Sequence, residues 1–292
     1  MQIILSRWRT RLQLRPSGRR TSIRPVWLAL PALLLVVCLI LLPSADTLLL
    51  SFLDPAPTLR NFLKFVERGV YLQTLWRTVQ IAAVVSVLCL ILGYPVSYYI
   101  VNQKKETQVR MLLLFLIPMW TSVLIRSYVW VVLLGRTGIV NSVLLDLGII
   151  EHPLKLIFTG GAVYVAMVQI LLPIQIINCY TAMKDIDIDL IRASRSLGAS
   201  QWQAMRRVFI PLSLDGTITG TSIVFMLSTG FFIVPALVGG PRESMMANLI
   251  SFFVTSNNSG FAAALGVILL IAALLGVAAL RLLGRAVARW MV

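Results

Sequence analysis

The chain has 292 residues, of which 58% are hydrophobic and only 13% charged, with a mean hydropathy of +0.88. A soluble domain carries about a quarter of its residues as charges, so this composition leaves too little polar surface to face water and excludes an ordinary soluble globule. The net charge of +15 fits either a nucleic-acid surface or the Lys/Arg bias of cytoplasmic membrane loops; position along the chain decides between them.

Crossing about 30 Å of hydrocarbon takes about 20 mostly apolar residues. Residues 1–25 hold Arg7, Arg9, Arg11, Arg15, Arg19, Arg20 and Arg24, followed by an apolar run over Val26–Pro43. That run is long for a signal peptide, and Pro43-Ser44-Ala45 is a poor cleavage site. The expectation is an uncleaved anchor with its arginines resting on anionic headgroups. Five more runs predict spans over Val79–Val101, Met111–Leu134, Phe158–Tyr180, Gly216–Val238 and Phe261–Leu283. The third carries one charge, Arg126, and polar and glycine residues interrupt the fifth. Pro31, Pro95, Pro118, Pro173 and Pro235 all fall within predicted spans. Each removes a backbone donor, a loss tolerated in lipid only where protein or a water-lined cavity re-satisfies the helix. Their number predicts an irregular bundle with a pathway.

Placing the N-terminus inside puts 1–25, 102–110, 181–215 and 284–292 in the cytoplasm. Together with Arg281 at the edge of the last span, these segments hold 18 of the 26 Lys and Arg, against 7 in the outer loops. Topology therefore accounts for the charge, and nucleic acid is not needed. The expected organisation is a cytoplasmic segment 1–25, a six-span domain 26–283 and a cytoplasmic tail 284–292, with both termini inside. Cys38, Cys89 and Cys179 lie within apolar runs without metal-type spacing and read as packing residues.

The longest inner loop, 181–215, carries the most specific pattern. Asp187 caps a short helix whose apolar side is Leu190, Ala193 and Leu197. Gly198 follows, suited to a left-handed C-cap. Ser200 and Gln203 make a capping box for a second helix with Trp202, Met205 and Phe209 on one face, and Pro211 marks its expected end. Helix, glycine, capped helix also describes a DNA-binding helix-turn-helix. Here the element is tethered at both ends to membrane spans and reads instead as a hairpin that docks a partner protein.

This stretch resembles the coupling loop of binding-protein-dependent ABC importer permeases, whose pattern is Glu-Ala-Ala, three residues, Gly, nine residues, Ile, one residue, Leu-Pro. The corresponding residues are Arg192-Ala193-Ser194, Gly198, Val208 and Ile210-Pro211. The spacing matches throughout, while Arg192 replaces the acid and Ser194 the second alanine. Other stretches are similar to the spermidine/putrescine permease branch: Gly93-Tyr94-Pro95, Pro118-Met-Trp-Thr-Ser122 with Arg126 and Trp130, Gly138 to Asn141, Leu171-Leu172-Pro173, and Phe232 to Pro235 with Gly239-Gly240. The likeness covers roughly residues 75 to 280. One departure is Phe231, where that branch often has an acid. The resemblance implies an all-α membrane protein: a six-helix, type I ABC importer-like permease bundle with a cytoplasmic coupling hairpin, in the cell inner (plasma) membrane. It implies a second permease subunit, two ATPase subunits carrying ATP and Mg, an extracytoplasmic substrate-binding protein and a small solute of polyamine, opine or amino-acid type. ATPase docking then falls to Leu190, Arg192, Ala193, Ser194, Leu197, Gly198, Ala199, Val208, Ile210 and Pro211.

Catalytic chemistry is missing from the sequence. None of the five lysines follows a glycine, so there is no phosphate-cradling Gly-Lys-Ser/Thr loop. One histidine, His152, cannot make a His-ligated metal site. No acid lies within a predicted span, which leaves a proton or sodium relay without a carrier and disfavours the alternatives of a gradient-driven transporter or channel. A membrane scaffold is a third reading, separable by an uptake assay. Arg126 is the intramembrane exception, open to a pathway role or to snorkelling at the outer interface. Tyr94, Trp120, Trp130 and Phe232 are the aromatic candidates for lining a path; interfacial packing is the other use of such rings.

Overall fold

The computed structural model describes residues 26–53 and 60–291; the expected headgroup contacts of 1–25 lie outside the described residues. All regular elements among the described residues are helical. The chain divides into two bodies, residues 1–49 and 50–292.

The first body contains α1 (Val26–Val36), a π-turn (Val37–Leu41) and the greater part of α2 (Leu42–Leu53). The helix therefore passes Pro43 instead of ending there. The π-turn is the reason: the Leu42 N–H bonds Val37 O, and this shift of register precedes a ring that has no N–H to give. The lengthened apolar stretch, Leu30–Phe52, encloses Asp46. Asp215 likewise falls within the stretch Gln201–Thr229. Both acids lie beyond the ends of the predicted spans, in helices that continue past them.

The second body begins with α3 (Arg60–Glu67) and α4 (Gly69–Val101), the latter starting ten residues before the predicted span. At 1.5 Å per residue its 33 residues reach about 50 Å, well beyond the hydrocarbon. The predicted third span is broken in two: α5 (Lys105–Leu116) and a 3-10 turn (Ile117–Trp120) precede α6 (Val123–Leu134). Pro118 sits at the start of the 3-10 turn, and the Ser122 hydroxyl accepts from Leu124 N at 3.3 Å to cap α6. Then come α7 (Ile139–Asp146) and α8 (Gly160–Lys184). The Asn141 side chain donates to Gly135 O and Leu154 O and accepts from Leu154 N, closing the loop between them.

After the hairpin, α11 (Ile210–Thr229) ends at Gly230, so the predicted fifth span splits into α11 and a short α12 (Ile233–Val238). The Thr229 hydroxyl donates back to Phe225 O and Met226 O, and glycine and Pro235 both oppose continuation. α13 (Met246–Thr255) and α14 (Ser259–Met291) complete the chain.

α4, α8 and α11 pack on one another, and α14 packs on α11. The main core joins Ile81, Val85 and Cys89 of α4 to Val163, Met167 and Leu171 of α8 and Val224 of α11. Lipid supplies no hydrophobic drive between helices, so small residues must let backbones approach. A Cβ on Gly216 would lie 2.5 Å from Ala182 Cβ, and one on Gly220 2.5 Å from Asn178 Cβ. Gly276 and Gly284 of α14 face Phe225 and Ile218 of α11 in the same way. Ser97 Oγ, 2.9 Å from Ile176 O, adds a hydrogen bond between α4 and α8. An aromatic core of Phe65, Tyr71 and Phe261 sits at the α3 end of the bundle. Cys179, Met183 and Phe209 form a third core at the opposite end of α4.

Candidate functional site

α8 leads into α9 (Ile188–Ser196), capped by Asp187 Oδ1, which accepts from Asp189 N at 2.9 Å. The helix ends in a Schellman motif. Ala199 N donates to Ser194 O at 3.1 Å and Gly198 N to Arg195 O at 2.9 Å, with Gly198 at φ +92°. α10 (Gln201–Ala204) opens with the complete reciprocal box: Gln203 N donates to Ser200 Oγ at 3.2 Å and Ser200 N to Gln203 Oε1 at 2.9 Å.

Pro211 does not terminate the second hairpin helix. A π-turn over Met205–Phe209 carries the chain straight into α11, with Ile210 N–H bonded to Met205 O. This is the same device that passes Pro43. The second hairpin helix is thus one end of the fifth span by continuity of backbone, and Gln201–Thr229 is one 29-residue stretch.

The expected apolar face of that helix divides between two environments. Phe209 is buried and meets Tyr98 edge-on at 5.1 Å between centroids, with Met205, Ile186 and Ile191 packed around it. Trp202 is 69% exposed. On α9, Leu190 is 49% and Leu197 90% exposed, and Ala193 is exposed too. Arg192 is paired to Asp189 at 2.9 Å in full view of solvent, a pair worth little for stability. Of the remaining docking candidates, Ala199, Val208, Ile210, Pro211 and Ser194 are half-buried. The result is an exposed Leu190, Leu197 and Trp202 set on a hairpin rooted by Phe209.

The five candidate pathway residues do not converge on one cavity. Tyr94 belongs to the hairpin-end core, where its hydroxyl lies 2.8 Å from Ser213 Oγ. Trp120 is 83% exposed after the 3-10 turn, and Phe232 is exposed in the break between α11 and α12. Arg126 is half-buried on α6, with Nε and Nη1 enclosed and without a hydrogen-bond partner among the described residues. Trp130 alone of the five lines a groove of about 540 Å³ between α4, α5, α6 and α8. There its Nε1–H donates to Gln169 Oε1 at 3.4 Å. Leu92, Phe115, Tyr164 and Leu172 make the groove predominantly apolar. Gln169 and Tyr164 are residues that sequence reasoning passed over, as is Gln175, fully buried and donating to Thr221 Oγ1 at 3.2 Å. Their signal was available, since an amide inside an apolar run is costly unless it has a partner.

Residues 25–289 match the family described as "Binding-protein-dependent transport system inner membrane component". The chain is 34% identical over 243 residues to the spermidine/putrescine transport system permease protein PotB of Haemophilus influenzae, spanning 80% of this chain and 84% of that one. It is 33% identical over 222 residues to PotB of Escherichia coli, spanning 76% and 80%. It also superposes with a TM-score of 0.72 on a chain of a bacterial alginate ABC transporter in complex with an alginate pentasaccharide-bound periplasmic protein. That match covers 90% of this chain and 94% of the other at 14% identity, and speaks to the fold alone. Six helices among the described residues long and apolar enough to cross a membrane, together with a family match over residues 25–289, make this chain a member of the binding-protein-dependent inner-membrane transport family: a non-catalytic permease subunit of an ABC importer, whose ATPase is a separate subunit.

Proposed function

We propose that this permease couples through the 187–209 hairpin, with Leu190, Leu197 and Trp202 inserting into a cleft on an ATPase subunit that carries ATP and Mg. The observation that carries the reading is an exposed apolar set on an element whose root is buried. Burying such side chains supplies about 1.5–3 kcal/mol each. Because the second hairpin helix, which carries Trp202, is continuous with α11, displacement of that helix is transmitted directly to the α4–α8–α11 core. Rigid-body motion of this kind switches a cavity between outward and inward access. In this reading both termini and the hairpin face the cytoplasm, a second permease subunit completes the pathway, and an extracytoplasmic binding protein delivers the solute.

The cargo we assign is a small polar solute of the polyamine, opine or amino-acid class. The PotB relatives, named for spermidine and putrescine, support a small nitrogenous cargo. The groove lined by Trp130, Tyr164 and Gln169 offers rings and an amide, with no acid beside them.

The test is Leu197→Asp, which puts a charge on the exposed apolar residue that caps the end of α9 and leaves the root untouched. ATPase recovered with the variant from solubilised membranes should fall about tenfold or more at unchanged permease level. Full recovery together with normal uptake would remove the hairpin from the coupling role.

A further inference from the structure

Between the start of α11 and the end of α14 lies a cleft of about 450 Å³, flanked by Asp215 on one side and by Arg281 and Arg285 on the other. The two arginines stand one helical turn apart on the same stripe of α14, and Arg289 continues it. Neither Arg281 nor Arg285 has an ion-pair partner among the described residues, although Asp215 borders the same cleft. The cleft is kept narrow at its floor by Gly284, which lets Ile218 of α11 touch the α14 backbone. Just outside it, Leu282, Leu283, Val287 and Trp290 are 47% to 93% exposed. Apolar side chains beside a basic stripe, ending in an exposed tryptophan, place this part of α14 where acyl chains meet headgroups.

We propose that this cleft is a binding site for the phosphodiester headgroup of an anionic phospholipid in the hairpin-side leaflet. Guanidinium groups suit the headgroup because their fork of N–H donors matches phosphate oxygens. Asp215 offsets one of the two charges, leaving the cleft at +1. That balance favours a lipid of net charge −1 over a zwitterionic one, whose ammonium is repelled by the remaining positive charge. The acyl chains lie along Leu282, Leu283 and Val287. Pro211 and Leu214 line the same cleft immediately after the π-turn, so an occupied site braces the join between the hairpin and α11. The proposal rests on the cleft alone and does not require that the hairpin docks an ATPase.

Native mass spectrometry of the purified full-length chain in detergent tests it, with phosphatidylglycerol, phosphatidylcholine and inorganic phosphate as probes. The wild type should retain phosphatidylglycerol in preference to phosphatidylcholine. Arg281→Gln with Arg285→Gln should weaken that retention about ten- to thirtyfold. Arg281→Lys with Arg285→Lys should keep most of it, because an ammonium still binds phosphate as a point charge. Lys105→Gln with Arg110→Gln, an equal charge loss on exposed positions of α5, should change nothing. Equal retention by the double glutamine variant, or no lipid preference in the wild type, overturns the proposal. Displacement of phosphatidylglycerol by millimolar phosphate would mark a free-anion site and overturn the lipid assignment.

Discussion

Gly198 isolates one physical variable. Its φ of +92° lies in the left-handed region, and a Cβ added there would meet no atom within 4 Å. A substitution therefore creates no clash and acts through backbone strain alone. For a β-branched residue that strain is about 1–3 kcal/mol, and relieving it means breaking the two Schellman bonds made by Gly198 N and Ala199 N. α9 would then leave α10 at a different angle, and the exposed Leu190 and Leu197 would be displaced relative to Trp202. If the ATPase reads that surface, association weakens about fivefold to a hundredfold. Gly198→Val should thus reach the membrane at wild-type level, lose ATPase in pull-downs and lose uptake. Gly198→Asn should be mildest, because asparagine tolerates this conformation, with Gly198→Ala between them. Wild-type ATPase recovery and uptake by Gly198→Val would falsify the proposal that the angle set at this glycine matters.

For topology, single cysteines at Glu151 and Ser256 in a Cys38→Ser background should react with an impermeant thiol reagent in intact cells, and one at Ser200 should not; labelling of Ser200→Cys would invert the orientation. Both outer positions are exposed, whereas Asn141 is buried and would report nothing. Gly220→Val forces α11 away from Asn178 and should cost about 1–3 kcal/mol of stability, seen as a lower unfolding midpoint in detergent. Gly266→Val, with open space around its Cβ position, is the control, and equal midpoints would refute close packing at Gly220. Arg126→Gln should lower uptake about tenfold, the loss of one charge-assisted contact, without affecting ATPase recovery; unchanged uptake would take Arg126 out of the pathway.

Some of this molecule is local in origin and therefore legible in the sequence. The six apolar runs follow from the length of hydrocarbon to be crossed, and each contributes to one of the six candidate spans among the described residues, although the third and fifth runs are broken. The hairpin caps are equally local: Asp187, Gly198, Ser200 and Gln203 act on backbone groups within a few residues, and all four are found in those roles. Prolines were legible as perturbations but not in their outcome. Pro118 sits in a real break, whereas Pro43 and Pro211 are passed by π-turns whose register shift no local propensity announces. The hairpin helices have apolar positions whose fates the periodicity could not separate, because burial depends on what the bundle brings alongside. Tyr98, from α4, covers Phe209 and leaves Trp202 in the open. For the same reason the pathway candidates, chosen by residue type along the chain, scatter: which aromatic lines a groove is decided by helix contacts between α4, α6 and α8. Gly93 meeting Gln175 sets the approach of α4 to α8, and glycines meeting Ala182, Asn178, Phe225 and Ile218 do the same between α11 and α8 and between α14 and α11. A glycine's neighbour across an interface is a property of the tertiary structure, since in lipid close packing replaces the hydrophobic pattern that would otherwise have marked the buried face.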